Sequence, residues 1–174
     1  MFPIFQSAGS RPHAALSRHR HGFTIMEMAI ALAILAILAT IAVPSLMDGM
    51  IRDQVASAGP LADLAKAPIA QSWATVQTLP ADNTAAGLPP AEKIVGNYVS
   101  AVAVNNGAID ITFGNSASGG IQGKILTLRP AVVADTPVVP VTWICGNAGV
   151  PAQMTVMGEN RTNIQANYLP ANCR

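Results

Sequence analysis

Glu27 is the residue whose chemistry is most unexpected in this sequence, because it is an acid inside an apolar stretch. Between Ile25 and Val43, Glu27 and Thr40 are the only polar side chains. An ionised carboxylate in the middle of a bilayer costs on the order of 3 kcal/mol, and less near the interface. An acid in such a place usually has a partner or a function, so the sequence predicts a positive group near Glu27.

A cut in the chain between Gly22 and Phe23 would supply that positive group. The cut would free an α-amine about one helical turn from Glu27, and the resulting ammonium would neutralise the carboxylate. The sequence around this bond is GFTIMEMAIALAILAILATIAVP.

Cys145 and Cys173 are the other residues whose side chains could react, because two thiols can form a disulfide. A bond between them would enclose 27 residues rich in Gly and Asn, and loop entropy predicts a stabilisation of roughly 3 to 4 kcal/mol. A redox pair or a metal site is disfavoured, because the cysteines are far apart in sequence and no histidine lies near them.

The sequence predicts that this protein is not an enzyme and uses no cofactor or metal. Its three histidines, His13, His19 and His21, all precede the predicted cut, so the mature chain would contain no imidazole. This absence excludes Ser-His-Asp and Cys-His nucleophilic catalysis and removes the commonest metal ligand. The acids are scattered, and neither an EF-hand loop nor a phosphate-binding loop is present.

The apolar run is long enough to cross a membrane. The 19 residues from Ile25 to Val43 form a helix of roughly 28 Å, about the thickness of a hydrocarbon core. Arg11, Arg18 and Arg20 precede the run and residues 1–22 contain no acid, so the positive-inside rule keeps the leader cytoplasmic and sends the C-terminal part across the membrane. Disulfides form and persist on that side.

Two simpler interpretations of the N-terminus are open at this point. A secretory signal peptide also has a basic region and an apolar run, and Ala39 to Ala42 offer small residues for cleavage. The length of the run and Glu27 argue against it. A single-pass anchor explains the length and the basic flank but leaves the cost of Glu27 unexplained.

Beyond Pro44 the pattern predicts an amphipathic helix lying on a core. The predicted buried face has helical spacing, and Gly59-Pro60 predicts a kink or break before a further helical segment to about Trp73. Residues 78–97 are rich in Pro, Ala, Asn and Gly and predict a long surface connection. The predicted inward residues are Met50, Val55, Leu61, Leu64, Ile69, Trp73 and Val76.

A β-hairpin is predicted by Asn106-Gly107, which favours a two-residue turn between alternating strands. The predicted pairs are Val104 with Ile109, Val102 with Ile111 and Ser100 with Phe113 on one face, and Ala103 with Asp110 and Ala101 with Thr112 on the other, polar face. Two strands follow, with Leu126, Leu128, Val139, Val141 and Trp143 inward and Pro140 at an edge. The fold class is therefore α+β, with a long N-terminal helix packed on a single antiparallel sheet of about four strands.

The N-terminal segment closely resembles the class III signal of type IV pilins, in which a basic leader ends in glycine, before phenylalanine and an apolar helix with glutamate at its fifth position. Here these residues are Gly22, Phe23 and Glu27. The resemblance implies that a prepilin peptidase cuts after Gly22 and methylates the amine of Phe23. It also implies that Glu27 sets the register of helices in a filament core, and that Pro44 kinks the helix.

The same resemblance implies the domain organisation. Residues 1–22 are a cleaved leader, 23–46 the transmembrane and filament-core helix, 47–76 amphipathic helical segments, and 77–174 a globular head of the pilin fold. In that head, residues 78–97 correspond to the αβ-loop, and residues 145–173 to the D-region, a loop closed by a Cys145–Cys173 disulfide.

As a type IV pilin, the chain would be a structural pilus subunit that forms a helical homo-oligomer used for adhesion, twitching motility or DNA uptake. Its partners would be other pilins, the prepilin peptidase and the inner-membrane assembly machinery. It would reside first in the inner membrane, as a single-pass precursor with a periplasmic head, and then in an extracellular pilus.

Three alternatives to this function are open. A type II secretion pseudopilin shares the processing site but typically lacks the terminal disulfide loop. A competence minor pilin would bind DNA through a basic stripe with stacking aromatics, whereas the sheet region has only Lys93, Lys124 and Arg129 as basic residues and the mature formal charge is −2. DNA binding is therefore possible but not indicated. A membrane-anchored periplasmic domain would keep its leader.

Overall fold

A computed structural model describes residues 22–174, except for the side chains of residues 43–45. The predicted leader before Gly22, with its three arginines and three histidines, lies outside the described residues. The chain divides into two units, one ending at Thr40 and the other comprising Ile41–Arg174. The second of these is called the C-terminal unit below.

Two helices occupy the first half of the described chain. Helix α1 comprises Ile25–Ala56, and helix α2 comprises Gly59–Val76. The predicted break near Gly59 is confirmed, and Pro60 lies at the start of α2, where its missing N–H would have had no helical partner. Helix α2 ends at Val76, three residues later than predicted. Its C-cap is Gln77, whose φ of 53° is left-handed and whose N–H donates to Trp73 O.

The helical face that packs on the sheet differs from the predicted one. Val55, Ile69 and Trp73 are buried as expected, but Met50, Leu64 and Val76 are exposed. The prediction selected large apolar side chains, whereas alanines fill several positions where the helices approach the core, because small side chains allow close packing. The buried stripe follows a helical period and comprises Ile51, Val55, Ala58, Ala62, Ala65, Ile69 and Trp73.

The sheet is antiparallel, and its strand order is β1-β2-β3-β4 with a short β5 paired to β3. The predicted α+β fold is confirmed, and the two-residue β5 adds a fifth strand to the four expected. Leu126 and Leu128 are buried against the helices as predicted. The strands are β1 Val99–Asn105, β2 Ala108–Phe113, β3 Ile125–Val132, β4 Thr142–Cys145 and β5 Thr155–Val156.

The hairpin between β1 and β2 confirms most of the predicted register. Asn106 and Gly107 have φ values of 49° and 82°, as a two-residue turn of this kind requires. A Cβ at Gly107 would lie 2.6 Å from Leu79, so glycine is needed for space as well as for φ. The pairing of Ser100 with Phe113 was wrong, since the register shifts between Val99 and Ala101 and places Val99 opposite Phe113.

The last long strand is shorter than predicted. Val139, Pro140 and Val141 precede β4 instead of lying within it. Trp143 packs against the helix-side core as expected, while Ile144 is buried outside that cluster. The chain after β3 forms a loop with successive turns, in which Val139 N donates to Thr136 O at 3.1 Å.

Candidate functional site

Thr24 caps the N-terminus of α1 and fixes the backbone of Glu27. The N–H of Glu27 donates to Thr24 Oγ1 at 3.1 Å, and the N–H of Met28 donates to Thr24 O at 3.1 Å. Glu27 lies in the first helical turn, where the helix dipole favours an acid. A threonine three residues before a glutamate is the sequence signature of a capping box. This signal is present in the sequence, but no capping role was predicted for Thr24.

The N-terminal part of α1 exposes its apolar side chains. Every residue from Gly22 to Ala42 is exposed, including Phe23 at 75%. Among the described residues there is one helical stretch, Ile25–Val76, whose length and hydropathy suffice to cross a membrane. Such a continuous apolar surface requires cover from lipid or from other protein.

Pro44, the predicted kink residue, lies within α1. Its side chain is outside the described part of the structure, so the kink stays a prediction.

Cys145 and Cys173 form the predicted disulfide, with their Cα atoms 4.6 Å apart. Cys145 is the last residue of β4, and Cys173 ends a short 3₁₀ helix, Ala171–Cys173. Backbone hydrogen bonds reinforce the closure, since the N–H of Asn147 donates to Cys173 O at 3.0 Å and the N–H of Gly146 donates to Thr127 O at 2.9 Å. The D-region is therefore attached to the sheet at its beginning and at its end.

The D-region is also hydrogen-bonded to α1 within the C-terminal unit. Arg52 Nε donates to the carbonyl oxygen of Asn167 at 2.9 Å, and Asn167 Nδ2 donates to Asp48 Oδ2 at 3.4 Å. These contacts join residues more than 110 positions apart in the sequence. They hold an otherwise irregular segment against the helix.

Asp110 lies in a buried polar cluster, which corrects its predicted place on an outer polar face. Its residue exposure is 4%, and its carboxylate accepts bonds from Thr127 Oγ1 at 2.7 Å and from Asn105 Nδ2 at 2.7 Å. Arg161 NH1 lies 3.5 Å from Asp110 Oδ2, and the backbone N–H of Arg161 donates to Thr127 Oγ1 at 3.1 Å. The D-region thus covers this face of the sheet, and Asp110 anchors it.

The αβ-loop, residues 78–97, is irregular as predicted, apart from a short 3₁₀ helix at Ala91–Lys93. Asn83 fixes this loop to β1. Its buried amide accepts from Val104 N at 2.6 Å and donates to Val102 O at 3.0 Å and to Pro89 O at 2.9 Å. Neither composition nor periodicity identified this asparagine.

No group of His, Cys, Asp or Glu side chains within residues 22–174 is arranged to hold a metal ion. The Asp110 cluster is buried and internally hydrogen-bonded, and its geometry fits an anchoring role in the fold.

Comparisons with known proteins find a match for the N-terminal segment and another for the rest of the chain. The Pilin family (bacterial filament) matches residues 52–174, and the prokaryotic N-terminal methylation motif matches residues 17–43. The chain is similar to the type IV major pilin protein PilE1 of Neisseria gonorrhoeae, with 36% identity over 88% of this chain and 86% of the relative.

Two other relatives come from different organisms. The fimbrial protein EcpC of Eikenella corrodens is 32% identical over 91% of this chain and 94% of its own length. The type IV major fimbrial protein FimA of Dichelobacter nodosus is 33% identical over 64% of this chain and 78% of its own length. The methylation motif, the pilin match and the disulfide-closed fold together place this chain in the type IV pilin family, as a structural pilus subunit that is processed at its N-terminal methylation motif and is not an enzyme.

Proposed function

We propose that this pilin is cut between Gly22 and Phe23, is N-methylated at Phe23, and polymerises through α1 into a surface filament. The observation that carries this proposal is the uncovered apolar helix surface that begins inside the methylation-motif match. Before assembly, lipid of the inner membrane covers that surface, with the globular head, residues 77–174, in the periplasm. In the filament, the helices of neighbouring copies cover it.

Glu27 has a specific role in this proposal. After the cut, the amine of Phe23 lies about one helical turn from the carboxylate of Glu27, on the same copy or on a neighbour. An N-methylated amine can still carry a proton, and the resulting ammonium would neutralise the carboxylate of Glu27. Apolar helices can slide along one another, whereas a buried ion pair penalises every wrong register.

The small residues of α1 support close helix packing in the filament core. Alanine recurs along the apolar segment, and small side chains let neighbouring backbones approach. We extend the proposal to the main shaft subunit, because relatives that match along most of this chain bear the names of major pilins. The alanines lie at 29, 31, 33, 36, 39 and 42.

Intact-mass analysis of the exported protein tests the cut and the methylation. We expect a mass equal to residues 23–174 plus one methyl group, with the two cysteines oxidised. A Gly22→Val variant, which places a branched side chain at the scissile bond, serves as the control and should keep the leader. Exported wild-type protein that still carries residues 1–22 would refute the proposal.

A further inference from the structure

A shallow apolar groove lies between α2 and the αβ-loop, with a volume of about 410 Å³. Leu64 lines it from α2 and is 56% exposed, and Val95 lines it from the αβ-loop and is 51% exposed, so both offer apolar surface to a partner. The rim carries one ammonium, that of Lys93. The residues of the groove used here are Leu61, Leu64, Leu88, Lys93, Ile94 and Val95.

The loop between β3 and β4, residues 133–141, presents the complementary features. Val138 is 85% exposed, more than any other large apolar side chain of the C-terminal unit's described surface. The turns that hold it are closed by Thr136 N donating to Val133 O at 3.4 Å and Val139 N donating to Thr136 O at 3.1 Å. Asp135, three residues earlier, is an exposed acid.

The groove and this loop lie at opposite corners of the sheet. The chain from the groove enters β1, and Val99 at the start of β1 pairs with the end of β2, which in turn pairs with the start of β3. The loop follows the end of β3 and precedes β4, at the other end and the other edge of the strand order. One chain therefore cannot fill its own groove with its own loop.

We propose that the β3–β4 loop of one copy docks into the groove of the next copy, with Val138 on the apolar walls and Asp135 beside Lys93. Because the two surfaces are different and lie at opposite corners, the contact is head-to-tail, and a head-to-tail contact that does not close on itself generates an open filament. This inference rests on the proposed polymerisation, and it identifies which surfaces of neighbouring C-terminal units meet.

Disulfide trapping in assembled filaments tests the contact. The variant Leu64→Cys/Val138→Cys, expressed in cells in place of the wild-type chain, should give covalent dimers and longer ladders after mild oxidation. The matched control, Leu64→Cys/Val150→Cys, uses another exposed valine outside the loop and should remain monomeric. The native cysteines are already paired. Filaments of the first variant that are abundant but not cross-linked would overturn this inference and leave polymerisation intact.

Charge reversal provides a second test of the contact between the loop and the groove. It tests this contact even if the cysteine variant does not assemble. Lys93→Glu and Asp135→Lys should each lower filament yield roughly fivefold, the effect of about 1 kcal/mol at one contact. The double variant should recover most of the yield, and Lys124→Glu, at an exposed lysine outside the groove, should have no effect. Failure of the double variant to recover would refute the pairing, whereas absence of filaments from the wild-type chain would refute polymerisation itself.

Discussion

The N-terminal segment of α1, residues 25–40, and the C-terminal unit differ in whether their apolar and acidic side chains are exposed or buried. The segment exposes all of its apolar side chains and carries a single acid, Glu27. The C-terminal unit buries its apolar side chains around the sheet and also buries Asp110, with hydrogen-bond donors on both carboxylate oxygens. The comparison teaches that the C-terminal unit covers most of its apolar side chains and pairs its buried acid internally, whereas the segment depends on lipid or on other copies.

Replacing Glu27 should have the largest effect, because we infer that its partner charge belongs to the assembled state. Glu27→Ala should still be cut and stay in the membrane, but should give few or no filaments. Electron microscopy of cells and immunoblots of the membrane fraction measure the two outcomes. Abundant filaments of normal length from this variant would contradict the assembly role.

Thr24→Ala is the matched control, because it removes the cap without removing the acid. It should cost about 1 kcal/mol of helix stability and leave most filaments in place. If both variants lose filaments equally, capping of α1 and not the charge of Glu27 explains the assembly defect.

Removing the disulfide should be the largest perturbation that stays within the C-terminal unit. Cys145→Ala/Cys173→Ala should lower the free energy of unfolding by about 3–4 kcal/mol, because the unfolded chain regains the entropy of an open loop. Denaturant titration of the full chain in detergent, followed by fluorescence of Trp73 and Trp143, measures it. An unchanged midpoint would show that the D-region is held by its other contacts alone.

Removing the Asp110 carboxylate should destabilise the same unit by a smaller amount. Asp110→Ala leaves the buried hydroxyl of Thr127 and the partly buried amide of Asn105 without their acceptor and should cost about 2–3 kcal/mol, measured by the same titration. Arg161→Ala is the matched control and should cost less than about 1 kcal/mol, because Arg161 is half exposed and lies 3.5 Å from the carboxylate. Equal costs for the two variants would mean that the ion pair, and not the buried hydrogen bonds, dominates the cluster.

Asn83→Ala should have the smallest effect of the series, about 1–2 kcal/mol. It leaves the buried N–H of Val104 unpaired but removes no charge. Thr84→Ala, at the exposed neighbouring residue, should change stability by less than about 0.5 kcal/mol. Hydrogen exchange at the amide of Val104 should accelerate in the first variant only, and unchanged exchange there would contradict the anchoring role of Asn83.

Features with a local physical cause were predictable from the sequence. The apolar run follows from the hydropathy of successive residues. The break near Gly59 follows from the backbone freedom of glycine and the missing N–H of the next residue, a proline. The Asn106-Gly107 turn follows from the tolerance of both residues for positive φ. The fold class and most of the hairpin register followed from these features. The bulge after Val99 escaped prediction, because alternation alone does not reveal an extra residue.

The predicted parts of the site were those with a short motif, and the missed parts were those with distant partners. Glu27 and its flanks occur in one continuous stretch, although the capping role of Thr24 was overlooked. Asp110 looked like a surface residue because the chain that covers it follows about 50 positions later. Asn83 gave no local signal, since its bonds connect a loop to a strand about 20 residues away.

The sequence by itself determined the apolar helix, the acid at its start, the turn that sets the hairpin and the presence of two cysteines. Only the tertiary structure decided that alanines share the packing face of α2 with Ile69 and Trp73, that Asp110 is buried, and that the D-region binds both the sheet and α1. The physical reason is that hydropathy and turn geometry depend on residues that are neighbours along the chain. The burial of a side chain depends instead on which distant segment packs over it and excludes water.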